Sequence, residues 1–355
     1  MSFSHRITVW QKSHGRHHLP WQNTGDAYRV WLSEVMLQQT QVATVIPYYL
    51  RFVERFPDVQ ALAAAPLDAV LAAWAGLGYY SRARLLHRCA QRVVQQHAAR
   101  FPTEAAELEM LPGIGRSTAA AIAVFAGAVR AAILDGNVKR VFARHFGVDG
   151  YPGSTATQAA LWRIAERELP HEDVAAYTQG LMDLGATVCA RSRPRCDVCP
   201  ISTTCVALRD NRIGELPTPR PQRERPQRAA TLALLLDGDD AVLLERRAPS
   251  GIWGGLLSAP EFDAAVTDGD LQLELARRYG LRGRVVQRLP ALRHEFTHYS
   301  FVMHPRVVQV AGGAAAAQPS LEKLALRDAA SAALPAPLLR LLQGLILEEF
   351  ALRAT

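Results

Sequence analysis

Trp31-Leu-Ser-Glu-Val-Met-Leu-Gln-Gln-Thr-Gln41 reads as a helix, rich in Leu, Glu, Met and Gln and free of Gly and Pro. Helical spacing sets Glu34, Leu37, Gln38 and Gln41 on one face, at i, i+3, i+4 and i+7. Val35, Val42, Val45 and Ile46 are left to face a core. A carboxylate beside two amides is an unusual face for a helix that must also pack. The amides are able to hydrogen-bond base edges, and the carboxylate is able to move a proton. A lone mid-helix glutamate is nearly always a solvated charge. The face gains a function only through what the rest of the chain sets beside it.

Three other segments bear on that question. In the first, Thr103 is expected to cap an acidic first turn that runs to Met110-Leu111. Pro112-Gly-Ile-Gly115 and an Ala-rich helix over 117–129 follow. This is a helical hairpin whose glycines let backbone N–H groups approach an anion, with a helix N-terminus behind them. A DNA phosphate fits it; an ordinary helical hairpin is the plainer alternative. In the second, Ile133-Leu-Asp-Gly-Asn-Val-Lys-Arg140 sets Asp135 just before a glycine and a helix, with Asn137 and Lys139 close by. Asp135 is either a capping carboxylate or a fixed negative charge aimed into a cleft. In the third, Cys189-x6-Cys196-x2-Cys199-x5-Cys205 gathers four thiols in a short window. Thiolate-only ligation suits zinc or an iron–sulfur cluster. A zinc ribbon usually has two Cys-x2-Cys knuckles, and here there is one, which favours the cluster in a structural role. Arg191, Arg193 and Arg195 stud the first loop of that window and are ready phosphate contacts.

The chain has 355 residues, 49% apolar, with a net charge of +7 and a pI near 9.4. It is long enough for two domains and favours a polyanionic partner, nucleic acid before membrane. Lysine stands only at 12, 139 and 323, so the charge is almost all arginine. No apolar run approaches the roughly eighteen residues of a membrane helix, and the N-terminus lacks a signal peptide's apolar core. A cytoplasmic, nucleoid-associated protein is expected. Cys89, alone in a helical stretch, reads as a buried filler.

Residues 1–25, with His14, His17 and His18, read as a polar, partly ordered segment. From Asp26, a plausible N-cap, to about residue 130 the pattern is helical, punctuated at Pro47, Pro57 and Pro66. Gly76-Leu-Gly-Tyr-Tyr-Ser-Arg-Ala-Arg84 is a glycine-bearing turn into a helix that starts with cations. Cations there oppose the helix dipole, so they serve a phosphate or are simply solvated. Helices resume over about 155–168 and 174–184. Residues 210–228 form an extended, Pro- and charge-rich linker. Beyond it lies a small α+β domain: strands over 229–236 and 241–247, a helix over 271–279, two or three strands in 285–310, a Gly/Ala-rich flexible loop at 312–317 and a closing helix over 337–352. The fold class is thus multi-domain: an all-α domain over 1–209 with a cysteine module, then a small α+β domain over 229–355. Within the first, a six-helix module covers about 26–130 with its hairpin at 108–129. The N-terminus joins 131–209 in the cysteine module.

The segments 33–40, 76–80, 111–116 and 134–140, taken in order with the cysteine spacing, resemble helix–hairpin–helix DNA glycosylases that carry a [4Fe–4S] cluster. Within these the chain looks like the MutY family of adenine glycosylases, over almost its whole length. The resemblance implies that Glu34 is the catalytic acid and Asp135 the second catalytic carboxylate, with Asn137, Ser117, Trp21 and Leu37 supporting the site. It implies DNA contacts from Gln38, Thr40, Leu77, Tyr79, Gly113, Gly115, Arg116, Lys139, Arg191, Arg193 and Arg195, with Gln38 and Tyr79 wedging into the duplex. Cys189, Cys196, Cys199 and Cys205 would hold the cluster. The C-terminal domain resembles the family's MutT-like (Nudix) fold. No Arg-Glu-x-x-Glu-Glu pattern follows Gly254-Gly255, so pyrophosphohydrolase chemistry is not expected. Arg293-His-Glu-Phe-Thr-His298 matches the loop that meets the oxidised guanine, through Phe296, Thr297 and His298. Relatives often carry Ser at the Thr297 position, and the hydroxyl is retained.

The implied reaction is hydrolysis of the N-glycosidic bond of adenine paired with 8-oxoguanine or guanine in duplex DNA, by a monomer. Strand-cutting relatives of the endonuclease III type carry a lysine where this chain has Ser117, and a hydroxyl cannot form an imine. That favours a monofunctional glycosylase over a bifunctional glycosylase/lyase. A non-catalytic, cluster-bearing DNA-binding protein is the third reading, and the intact Glu34 and Asp135 weigh against it.

Overall fold

The computed structural model describes residues 1–127, 129–221, 225–238, 240–310 and 320–353, with side chains to 346. The chain divides into two compact units, Met1–Ala64 with Leu85–Gln222, and Ala65–Arg84 with Arg223–Thr355. The helices in chain order are α1 (Phe3–His14), α2 (Ala27–Leu37), α3 (Val42–Arg55), α4 (Val59–Ala64), α5 (Leu67–Ala73), α6 (Ser81–Gln96), α7 (Ala105–Glu109), α8 (Arg116–Gly127), α9 (Gly136–Phe146), α10 (Thr155–Arg167), α11 (Val174–Thr187), α12 (Val206–Arg209), α13 (Asp268–Tyr279) and α14 (Ala336–Arg353). Of these, α5 lies in the second unit, and α6 begins there and continues into the first.

In the first unit α2 starts where the sequence indicates, because Asp26 accepts the Tyr28 N–H. It stops at Leu37, short of the expected end at Gln41. Gln39 turns left-handed, with φ of 59°, which breaks the hydrogen-bond ladder. Gln41 then stands at the N-cap of α3. The single helical face drawn through Glu34, Leu37, Gln38 and Gln41 is therefore not formed. Pro47 lies inside α3 and does not end a segment there. Thr103 is not a cap either, since α7 begins after Glu104 without a side-chain cap bond. The N-terminal residues are not loosely ordered: they form α1, which packs on α11. A Cβ on Gly180 of α11 would stand 2.8 Å from Ile7 Cγ2, so glycine allows the two helices their close approach. Ile7 joins Val138, Phe142, Leu161, Tyr177 and Leu184 in the unit's core.

The expected linker begins as docked chain. Leu216 is buried, and its carbonyl accepts Arg144 Nε at 2.8 Å. Thr218 Oγ1 accepts the Gly150 N–H. Backbone groups buried in this way must be paired, and these are. The rest of the linker includes 222–224, which lie outside the described residues, and so does the expected flexible loop at 312–317.

The second unit holds a mixed eight-stranded sheet: β1 (Gln227–Asp237), β2 (Ala241–Arg246), β3 (Leu257–Ser258), β4 (Glu261–Phe262), β5 (Gly283–Arg288), β6 (Leu292–Glu295), β7 (Ser300–Val310) and β8 (Leu321–Ala325). The main path runs β3-β2-β1-β7-β5, and β4, β6 and β8 pair with β1, β7 and β2. β1 and β7 run parallel from Gln227 opposite Ser300 to Asp237 opposite Val310. Alternate residues of β1 serve two cores. Leu232 and Leu234 meet Leu338, Leu342 and Leu345 of α14, whereas Ala233 and Leu235 meet Leu271, Leu275 and Tyr279 of α13. Both faces are covered, which is why this strand reads as an unbroken apolar run. The segment 65–84, read from the sequence as part of the helical module, groups with this unit. Asp68 of α5 pairs with Arg246 at 2.9 Å, and Tyr80 OH donates to Leu334 O at 3.0 Å. No described helix is long and apolar enough to cross a membrane.

Candidate active site

One cleft in the first unit gathers most of the singled-out residues. Its volume is about 1690 Å³, above the roughly 300–1000 Å³ of a small-molecule pocket, which suits a length of polymer. Trp21, Glu34, Leu37, Gln38, Thr40, Ser117, Asp135, Asn137, Lys139 and Arg191 all line it. Glu34 comes from the last turn of α2, and Asp135 from the N-cap of α9.

The two carboxylates differ in surroundings. Glu34 has no side-chain hydrogen bond or ion pair among the described residues, and burial pushes it up to about 8, with the nearby charge of Asp135 adding to the rise. Burial raises Asp135 too, but hydrogen bonds and the Arg140 charge pull it back. Its Oδ1 accepts the Val138 N–H at 2.8 Å, and its Oδ2 accepts Asn137 Nδ2 at 3.3 Å. Arg140 Nη2 donates to Asn137 Oδ1 at 2.9 Å, and Arg140 Nε donates to Cys189 O at 2.8 Å. Asp135 is thus held in place by a chain of donors. Ser117 Oγ accepts the Leu134 N–H at 3.0 Å, which ties α8 to the strand of chain entering Asp135. Burial lowers the Lys139 ammonium pKa, and Asp135 opposes that shift.

The remaining candidates lie outside the cleft. Gly113 and Gly115 are exposed at the hairpin tip. Arg116 is turned aside: its guanidinium stacks on Trp162 at 3.8 Å and pairs with Glu166. Arg193 and Arg195 are exposed beside the cysteines. In the second unit, Leu77 is buried and Tyr79 is 45% exposed. Phe296 sits among Trp253, His294 and Tyr299 at centroid distances of 5.4, 4.6 and 4.9 Å. That anchors the turn on which Thr297 and His298 are exposed.

An HhH-GPD superfamily base excision DNA repair model matches residues 32–167, and a NUDIX domain model matches 231–344. The adenine DNA glycosylase of Buchnera aphidicola subsp. Baizongia pistaciae is 35% identical, over 85% of this chain and 85% of its own. This chain belongs to the adenine DNA glycosylase family. The human adenine DNA glycosylase is 43% identical over 53% of this chain and 36% of its own. A solved thermostable thymine-DNA glycosylase is 28% identical, with a TM-score of 0.54, over 59% of this chain and 95% of that one. The helix–hairpin–helix domain followed by a Nudix-like α+β domain is therefore the architecture expected from the sequence.

Set against its family, the site contains residues that the sequence reading passed over. Arg16, Gln11, Gln22 and Gln179 also line the cleft. Arg16 is fixed by Asp183, which is fully buried. Asp183 Oδ1 accepts Arg16 Nε at 2.7 Å and Gln179 Nε2 at 2.8 Å, and Oδ2 accepts the Arg16 N–H at 2.8 Å. A usable signal was present: Asp183 interrupts the apolar run Gly180-Leu-Met-Asp-Leu-Gly185. Cys189, Cys196, Cys199 and Cys205 line one small cavity with Val141, Arg144 and Ile201. Arg144 Nη1 lies 3.4 Å from Cys189 Sγ, a cation suited to thiolates. Among the described residues no three His, Cys, Asp or Glu side chains close around a single metal ion. Cys89, fully buried, has its thiol pushed up to about 12, as befits a filler.

Proposed function

We propose that the cleft receives an adenine extruded from duplex DNA, opposite 8-oxoguanine or guanine, and hydrolyses its N-glycosidic bond without cutting the strand. The observation that carries this reading is the unlike carboxylate pair in one cleft. A glutamic acid raised to about 8 stays protonated at neutral pH and can protonate the base. That turns adenine into a good leaving group and contributes roughly 10² to 10⁴ in rate. Cleavage leaves the sugar with oxocarbenium character. Asp135, the member of the pair whose N–H donors favour its charged form, stabilises that cation, electrostatically or by brief covalent capture. Glu34, now a carboxylate, takes a proton from the attacking water and is restored to the acid form.

Extrusion of the base costs a few kcal/mol. Gln38 and Tyr79 wedge into the duplex, and Thr40 and Leu77 contact the DNA. Trp21 and Leu37 line the base pocket. The backbone at Gly113 and Gly115, with Lys139 and the arginines at 116, 191, 193 and 195, meets phosphates. Phe296, Thr297 and His298 meet the opposite base. The four cysteines of the 189–205 window would hold a [4Fe–4S] cluster, which would cross-link that loop; their shared cavity and the Arg144 guanidinium support the fit. The protein acts as a monomer on cytoplasmic DNA.

A labelled duplex with A opposite 8-oxoguanine tests the reading when each sample is split with and without hot alkali. Strand cleavage only after alkali is expected. Cleavage without alkali would show a lyase, and no abasic product on any A-containing mispair would show a protein that only binds. Iron analysis with visible absorbance tests the cluster, and one equivalent of zinc would refute it.

A further inference from the structure

The turn carrying Tyr79 is built against its own preferences. Gly78 has φ of 72° and Tyr79 has φ of 49°, two successive left-handed residues. A side-chain-bearing residue pays roughly 1–2 kcal/mol there, so something must hold it. Arg82 follows at the start of α6, where a cation opposes the helix dipole. Its side chain is neither solvated nor offered to a phosphate, the two roles that the sequence allows. Only 7% of the residue is exposed. Burial lowers its pKa to about 10. Its Nη2 donates to Leu77 O and Gly78 O, both at 3.2 Å. The guanidinium lies 5.3 Å from the Trp74 ring and 5.6 Å from the Tyr79 ring. Trp74 Nε1 donates to the same Gly78 carbonyl at 3.1 Å.

We infer that Arg82 is the positioning residue for the wedge: its guanidinium holds the Leu77–Gly78 carbonyls and underlies the Tyr79 ring, which keeps Tyr79 presented outward. The inference rests on the wedge role given to Tyr79 above. One guanidinium nitrogen, Nη2, bridges the two carbonyls while the flat group also lies near both rings; an ammonium has three N–H donors but no flat face to set on the rings at the same time. The Trp74 indole N–H completes the cradle at the same Gly78 carbonyl.

The test uses the full-length protein in a Glu34→Gln background, with 2-aminopurine at the target position opposite 8-oxoguanine. Its fluorescence rise reports extrusion, and thermal unfolding reports the fold. Tyr79→Ala and Arg82→Lys are each expected to lower the rise about fivefold, since extrusion itself costs a few kcal/mol. The double variant should fall no lower than Tyr79→Ala, because Arg82 acts through Tyr79. Trp74→Phe keeps an aromatic ring, removes one bond to Gly78 O, and should lose about twofold; it decides the matter if Arg82→Lys fails to fold. Wild-type extrusion in Arg82→Lys, in a folded protein, overturns the inference, as does an additive loss in the double variant. If Arg82→Lys does not fold, wild-type extrusion in Trp74→Phe overturns it. A silent Tyr79→Ala refutes the wedge role itself, and the inference with it.

Discussion

Glu34 and Asp135 carry the same functional group, and their surroundings separate them. In the proposed reaction Glu34 needs its proton and Asp135 its charge, so the single-turnover rate is expected to fall about tenfold per pH unit above about pH 8 and to fall again on the acid side as Asp135 takes up a proton. An alkaline limb that begins near pH 5 would contradict the raised value for Glu34. Glu34→Gln should cost at least a hundredfold in base removal while largely keeping duplex affinity. Stability gives a second readout. The folded-state value lies above the ordinary 4.5, so the stability tied to the bound proton is complete below that value and is lost as pH rises through about 8. Glu34→Gln does not titrate. Relative to wild type it should gain on the order of 1–3 kcal/mol between pH 5 and pH 9 in urea unfolding; a difference that ignores pH would contradict the burial. Both carboxylates were legible in the sequence, because a helix-borne acid and an N-cap aspartate leave local signatures. Arg16 was not, since only the distant Asp183 gives it a place.

The hairpin between α7 and α8 shows how an element constrains its residues. Gly113 has φ of +79°, and a Cβ there would stand 2.8 Å from Leu85 Cβ, whereas Gly115 has open space. Gly113→Ala should therefore cost about 1–3 kcal/mol and weaken duplex binding, measured by thermal unfolding and titration. Gly115→Ala should stay within about 0.5 kcal/mol in folding; equal losses would mean that the glycines serve a common purpose. The contact between α1 and α11 offers a second case. Asp183→Ala strips the partner from Arg16 and should lower stability by about 2–4 kcal/mol, with a rise in KM if Arg16 faces the extruded base. The Leu-Pro-Gly-Ile-Gly hairpin was readable because its turn chemistry is short-range. The end of α2 was not, since the stretch from Trp31 to Gln41 is rich in helix formers and holds no Gly or Pro, and the break at Gln39 is imposed by the fold around it.

At the scale of the whole molecule, a net charge of +7 predicts DNA binding that weakens steeply with salt. The structure sorts the contributing cations. Arg191 lines the cleft, so Arg191→Ala should weaken all duplexes alike and lower the salt slope by about one. Arg116 is already paired with Glu166, so Arg116→Ala should leave the slope nearly unchanged. Equal slopes for the two variants, measured by fluorescence anisotropy, would contradict this sorting. From the sequence the arginines are equivalent, because charge is visible in a sequence and its partners are not.

What the sequence determined by itself is the chemistry available and its local frames: the acid on a helix, the capping aspartate, the hairpin glycines, the cysteine spacing and the apolar runs of the sheet strands. Each depends on residues a few positions apart, where propensity and turn geometry act. The tertiary structure decided where α2 ends, that the N-terminal helix brings Arg16 to the cleft, and that Arg82 is turned inward onto a strained turn. Those outcomes follow from burial and from hydrogen bonds between distant segments. Long side chains such as arginine reach whichever partner the folded chain presents, and no local pattern records that choice.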